Sequence, residues 1–285
     1  MMEYMIRALW TSVFIVISVS IVIGNGFILL SIVKVRKLRT FMYVLVGNLA
    51  VSDLLVGVVL IPYYLLVDGG EVDSGKRIVS ESKYACLGKI SAFVICLGSS
   101  CLSLLYISIE RFASLAYPLK MKVYITRRKL SVSIVLGWLL VIANGTVNLY
   151  AFNSYGKNNN TRCVSDEILS PEYKILINWE LITGLTLSFI MYAIAIRISY
   201  KRVMQTRNLR NGLTVHARKD KEAYHVFTAA LVFGTFLFCW LPYICAALVT
   251  TFYETPITQQ FRRYTLFPGL INSSLNWIIY GFRNH

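Results

Sequence analysis

The chain has 285 residues and a net charge of +15; 56% of its residues are hydrophobic and 15% are charged. With a mean hydropathy of +0.59, it carries too little polar sequence to clothe a water-soluble domain of this size. Nor does the basic excess mark a nucleic-acid binder, because it is confined to short loops between apolar runs; no nucleic-acid partner is expected.

Seven apolar runs follow one another: 9–33, 42–67, 86–115, 130–152, 175–198, 224–252 and 264–282. A membrane-crossing helix needs about 20 mostly apolar residues, and open sheet cannot cross because its edge amides would go unpaired in lipid. The expected fold is therefore an all-α membrane protein, a single domain over residues 1–285 built as a bundle of seven transmembrane helices. Span 1 is too long for a signal peptide, and Lys34, Arg36, Lys37 and Arg39 follow it with no small-residue cleavage site, so it is expected to be retained. About eight residues precede it, and no extracellular domain is expected there.

The loops set the orientation. The loops after spans 1, 3 and 5 and the C-terminal end hold nineteen basic residues and only three acids, Glu110, Asp220 and Glu222. On the opposite side ten basic residues are balanced by ten acids. The positive-inside rule then places the basic face in the cytoplasm and the N-terminus outside. The same basic loops are suited to contact anionic membrane lipid.

Several polar residues sit where lipid should exclude them. Asp53 lies about twelve residues into span 2. A charge at the bilayer centre costs about 2.5–3.5 kcal/mol on insertion scales, so such residues are functional candidates. Asn25 and Asn48 lie in spans 1 and 2, Ser100 in span 3, and Asn272, Ser273 and Asn276 in span 7. The last three fall at i, i+1 and i+4 and share a helix face. Chemistry alone leaves two readings open: an interhelical hydrogen-bond network that holds the bundle, or a cation site made of one carboxylate and several neutral oxygens.

Three further features come from the residues themselves. Arg111 lies beside Glu110 at the cytoplasmic end of span 3, where a long basic side chain can snorkel. Pro242 removes a backbone hydrogen bond and bends span 6. Of the six cysteines, Cys96, Cys101, Cys239 and Cys245 lie in spans and read as small core residues. Cys86 and Cys163 fall on the outer, oxidising side. The sequon Asn159-Asn160-Thr161 marks Asn159 as an acceptor in the second outer loop. Two others, at Asn144 and Asn272, fall inside spans, where the modification cannot occur. No His/Cys spacing fits a metal site, and no nucleophile–base set appears, so no enzymatic activity is expected.

One signature per span stands in order along the chain: Gly24-Asn25, Asn48-Leu49-Ala50-Val51-Ser52-Asp53, Cys86 with Glu110-Arg111-Phe112, Trp138, Tyr192, Phe236 with Cys239-Trp240-Leu241-Pro242-Tyr243, and Asn276-Trp277-Ile278-Ile279-Tyr280. The set resembles the rhodopsin-like (class A) G-protein-coupled receptors over all seven spans. The resemblance implies a plasma-membrane receptor that passes an extracellular signal to a heterotrimeric G protein through outward movement of span 6. It implies a Cys86–Cys163 disulfide and favours the cation reading, with Asp53, Ser100, Asn272, Ser273 and Asn276, beside Trp240, as an allosteric sodium site. It makes Arg111 half of a latch to Glu110 and Glu222. Trp240, with Phe236 one turn deeper, becomes a rotating toggle at the pocket floor below Pro242's bend, and Tyr192, Asn276 and Tyr280 complete the switch.

The resemblance also places a ligand pocket in the outer half, lined by Tyr63, Tyr64, Phe93, Leu97, Glu180, Trp240, Tyr243, Ile244, Leu266 and Leu270. Phe93 stands where biogenic-amine receptors carry an acid, which disfavours that subclass. Leu270 stands where opsins carry the retinal lysine, which disfavours a photopigment. Glu180 has no obvious partner nearby in sequence; it is either solvated near the interface or a ligand contact. An apolar pocket with one acid suits a small molecule or a short peptide, and the short second outer loop favours the former. The short N-terminus disfavours large glycoprotein hormones.

Three residues depart from the family pattern: Trp277 in place of proline in span 7, Gly184 in place of proline in span 5, and Phe112 in place of tyrosine. The sequence ends five residues past Tyr280, leaving no room for an amphipathic eighth helix or a phosphorylated tail, so arrestin recruitment is not expected. Trp277 and the missing tail keep a second reading open, a non-signalling decoy or heteromer partner. An ion transporter or channel is a remote third, since transporters commonly show internal repeats and none is visible.

Overall fold

The structure is a computed structural model that describes residues 2–68, 82–155, 163, 168–208, 213–253 and 255–283. Seven long helical segments account for the seven spans. Span 1 is Met2–Lys34, and span 2 runs as Phe41–Leu55, a π turn at Val56–Leu60, and Ile61–Asp68. Span 3 is Lys83–Ala116, and a short helix, Pro118–Tyr124, leads to span 4, Arg127–Thr146. Spans 5, 6 and 7 are Pro171–Asn208, Leu213–Phe252 and Pro256–Arg283.

The helices are longer than the apolar runs because polar turns continue them past the membrane, most of all in spans 5 and 6. Six of the seven are apolar enough to cross a bilayer by composition and length. Span 7 falls short of that measure of apolarity. Its polar residues Thr265, Asn272, Ser273 and Asn276 are all buried, so the cost is met inside the bundle and not against lipid. Outward-facing Phe238, Leu140, Val16 and Phe27 are 83%, 72%, 68% and 66% exposed. So large an apolar surface belongs in a bilayer.

Close contacts fix the seams between spans. Ser18 in span 1 donates to the carbonyl of Gly57 at 2.6 Å, inside the π turn of span 2. A Cβ on Gly57 would sit 3.0 Å from Ile21, so glycine lets the two helices meet. Gly24 is filled by the indole of Trp277, which a Cβ there would overlap. Trp138 of span 4 donates to Asn48 Oδ1 at 2.9 Å, and Asn48 Nδ2 donates to Ser103 Oγ of span 3 at 2.7 Å. One polar chain therefore ties spans 2, 3 and 4.

The Cys86–Cys163 disulfide joins the start of span 3 to the segment before span 5. Beside it, Asn153 and Leu169 form an antiparallel bridge. Buried Leu87, Ile168 and Tyr173 pack beneath this end. The main core lies lower, where spans 2, 3, 5, 6 and 7 bring Leu49, Leu104, Leu185, Phe233, Phe236 and Trp240 together.

Candidate functional site: a polar core, an aromatic column and a side-opening cavity

The deepest polar group is Asp53, which is fully buried. Its Oδ2 accepts from Asn276 Nδ2 at 2.9 Å. Asn25 donates to the carbonyls of Ile21 and Ser273, both at 3.1 Å. Asn272, Ser273 and Ser100 are buried nearby in sequence register, on spans 7 and 3. Four buried oxygens in these residues have no partner: Asp53 Oδ1, Asn25 Oδ1, Asn272 Oδ1 and Asn276 Oδ1. A buried acceptor left unpaired is costly, so a set of acceptors with no donor among them fits a cation or ordered water. Among the described residues no cluster of three or more His, Cys, Asp or Glu could hold a metal ion, so a cation would rest on one carboxylate and neutral oxygens.

At the opposite end of span 3, Arg111 Nε donates to Glu110 Oε2 at 2.5 Å, with both side chains largely buried. Arg202 of span 5 donates to the carbonyl of Leu115 at 2.5 Å. Tyr192 and Tyr280 are buried, and neither hydroxyl has a partner. The Glu222 side chain, the second half of the expected latch, lies outside the described residues. So does Asn159.

On the side of the polar core away from Arg111 runs a column of rings. Phe236 and Trp240 have centroids 6.1 Å apart, Trp240 and Phe93 6.1 Å, and Phe93 and Tyr243 5.4 Å. Gly269 of span 7 makes room for the column, since a Cβ there would lie 2.8 Å from the Trp240 indole. Pro242 lies within the continuous helix Leu213–Phe252 and faces outward. Below, the Trp277 indole N–H is buried without a partner. Span 7 instead has its internal proline at Pro268.

A cavity of about 830 Å³ opens beside the column. Phe93, Leu97, Glu180 and Tyr243 line it. The other expected lining residues, Trp240 among them, are not on the wall of this cavity. Leu270 is buried among Ile21, Leu60 and Cys96, Ile244 is part of the main core, and Leu266 packs against both clusters. Tyr64 meets Phe14 at a tilt, with centroids 5.6 Å apart, and has Lys89 over its ring. Tyr63 packs its hydroxyl against Gly88. The walls of this void come chiefly from spans 3, 4 and 5, with Tyr243, Ala247 and Thr251 of span 6 and Arg262 of span 7.

Glu180 has a partner that sequence spacing did not show. Asn144 of span 4 donates to its Oε2, across 36 residues. Tyr173 in turn donates to the Asn144 carbonyl at 2.7 Å. Asn178 of span 5 donates to Thr251 of span 6 at 3.2 Å, and Arg262 of span 7 lies over the Tyr243 ring at 5.7 Å. The available signal for Asn144 was an amide inside an otherwise apolar span; for Asn178 and Arg262 it was weaker, because both lie near span ends.

A sequence profile described as "7 transmembrane receptor (rhodopsin family)" matches residues 24–280. The chain belongs to this family of multi-pass membrane receptors, which are not enzymes. Its relatives include the histamine H2 receptor of Cavia porcellus, 26% identical over 290 residues that cover 99% of this chain and 78% of that receptor. The sphingosine 1-phosphate receptor 3 of Takifugu rubripes is 26% identical over 95% of this chain and 66% of its own length. G-protein coupled receptor 12 of Homo sapiens is 27% identical over 91% of this chain and 73% of its own length.

Proposed function

We propose that this plasma-membrane receptor, with its N-terminus outside, binds an extracellular small molecule or short peptide and activates a heterotrimeric G protein. The observation that carries the reading is the ring column from the cavity wall to the core: Tyr243, Phe93, Trp240 and Phe236 in unbroken contact. A ligand that displaces Phe93 must move Trp240, and Trp240 sits one residue pair below the Pro242 bend. Rotation there swings the lower half of span 6, which carries Glu222, away from Arg111. Glu110 retains Arg111 in the resting arrangement. The ligand acts only through its different affinity for the two packings.

Sodium is part of the same proposal. Asp53 would supply the charge, and the free oxygens of Asn272, Asn276 and Asn25 would supply neutral ligands; Ser100 and Ser273 lie on the same faces. A bound ion would favour the packing in which these oxygens converge. Thermal unfolding in sodium chloride against potassium chloride tests it: sodium is expected to raise Tm in the wild type and leave Asp53→Asn unmoved. An equal response of both proteins to both salts rules the site out.

The histamine H2 relatives raise the question of an amine. Phe93 occupies the place where amine receptors carry their acid, so an amine ligand here would have to use another carboxylate, and Glu180 is the one on the cavity wall. A second reading, a non-signalling partner, draws on Trp277, whose ring is wedged against Gly24 and would resist movement of span 7.

The test is G-protein dissociation in cells expressing the chain, across a broad ligand panel, with Arg111→Ala at matched surface level. A ligand-driven or basal signal that Arg111→Ala abolishes is the expected result. Silence from both at good surface expression favours the non-signalling reading, and Trp277→Pro then asks whether the wedge is the cause.

A further inference from the structure

The cavity does not close inside the ring of spans. Phe93, Leu97 and Tyr243 wall its inner part, but Leu136 and Leu140 of span 4, on its other wall, are 55% and 72% exposed. Those two face lipid in a bilayer. The void is therefore a crevice that runs from the bundle interior out between spans 3, 4 and 5. It is also long. On span 3 its lining extends from Ile90 to Tyr106, about 24 Å at 1.5 Å per helical residue. One glycine leaves room in it: Gly184 lines it, and a Cβ there would meet nothing within 4 Å, whereas Gly98 and Gly137 are points where spans 3 and 4 close on each other. The span 5 departure from the family pattern thus coincides with empty space.

The polar groups gather at the disulfide end of this crevice, where Lys174, Asn178 and Arg262 line it together with Glu180 and Asn144, Arg262 resting over the Tyr243 ring. Glu180 is exposed, so its carboxylate faces the lipid side of the bundle, with Asn144 donating to it. A carboxylate in that position is expensive, and one amide offsets only part of the cost. A cation arriving within the membrane would complete it. The remaining length of the crevice offers leucine, glycine and valine, which suit a hydrocarbon chain and not a peptide backbone, whose amides would go unpaired.

We propose that the crevice between spans 3, 4 and 5 takes a single-chain amphiphile with a cationic amine headgroup, which enters sideways from the leaflet at the disulfide end. Its ammonium pairs with Glu180 and Asn144, and its chain lies along Leu97, Gly98, Leu136 and Leu140 toward Tyr106. The proposal rests on the reading of the chain as a ligand receptor and names the ligand class and route.

The experiment is photo-crosslinking of purified receptor in phosphatidylcholine nanodiscs with a sphingosine analogue that carries a mid-chain diazirine and a terminal alkyne. Octadecylamine and octadecanol serve as competitors with the same chain and different heads. Labelled peptides from spans 3, 4 and 5 are expected, with octadecylamine competing at least tenfold better than octadecanol. Glu180→Gln should remove that preference while labelling persists, and Leu140→Trp, which fills the lipid-facing mouth, should reduce labelling by either route. Retained Tm and surface expression show that both variants are folded. Equal competition by amine and alcohol, unchanged preference in Glu180→Gln, or labels confined to spans 1 and 7 would overturn the proposal. Because binding is read without a G protein, labelling in a silent receptor would sink the signalling reading and leave this one standing, and the reverse result would do the opposite.

Discussion

The seam between spans 1, 2 and 7 and the seam between spans 3, 4 and 5 each contain one intramembrane acid, and they solve its burial in opposite ways. Around Asp53 the helices close completely. Glycines at positions 24 and 57 are filled by Trp277 and Ile21, and the carboxylate meets only side chains of the bundle. Around Glu180 spans 3 and 4 still meet closely, at Gly98, Gly137 and Gly145, but span 5 leaves a gap. Gly184 is left open, the carboxylate faces outward, and its amide partner comes from the neighbouring span. A glycine in a membrane helix is thus not one signal but two: close approach where a large partner arrives, and a void where none does.

The open seam should depend on its clamp more than the closed seam does. Cys86→Ser removes the disulfide that anchors span 3 near the crevice. A disulfide contributes about 2–4 kcal/mol, so this variant should show the largest fall in Tm and surface expression. A loss no greater than that of a surface control would mean that the packing under Tyr173 and Ile168 holds this end alone.

The closed seam breaks differently. Gly24→Val drives a side chain into the Trp277 ring, and overpacking of this kind costs about 1–3 kcal/mol. The double variant with Trp277→Ala should recover most of it. Failure of that rescue would mean that Gly24 matters for backbone geometry and not for the indole. The same kind of change in the open seam should have the opposite sign. Gly184→Ala meets no atom, and it should stabilise by about 0.4–1 kcal/mol through the unfolded chain and helix propensity. A destabilisation there would show that the void is filled in the native receptor.

The smallest effect expected is at the junction of the seams. Trp138→Phe removes the donor to Asn48, and interhelical hydrogen bonds in membranes average about 0.6 kcal/mol. Unfolding in detergent should register a shift of that size. A much larger one would mean that the Trp138, Asn48 and Ser103 chain acts as a unit.

Much of this was legible from residues alone. Apolar length defined the spans, because lipid permits no unpaired backbone. The distribution of Lys and Arg predicted an orientation, and Asp53, Asn272, Ser273 and Asn276 stood out because polar residues are costly in apolar runs. The motif set pointed to the receptor family, and Cys86 with Cys163 to the bond now seen. Span 7 carries its polar residues because its polar face is covered inside the bundle. What only the tertiary structure decided were the contacts between spans far apart in sequence: Trp277 against Gly24, Asn144 on Glu180, and a cavity displaced toward span 4. Hydropathy and spacing report which residues a helix will hide; they carry no record of which neighbour will cover them, because that depends on how seven rigid helices of fixed length tilt and rotate to fill one another's gaps.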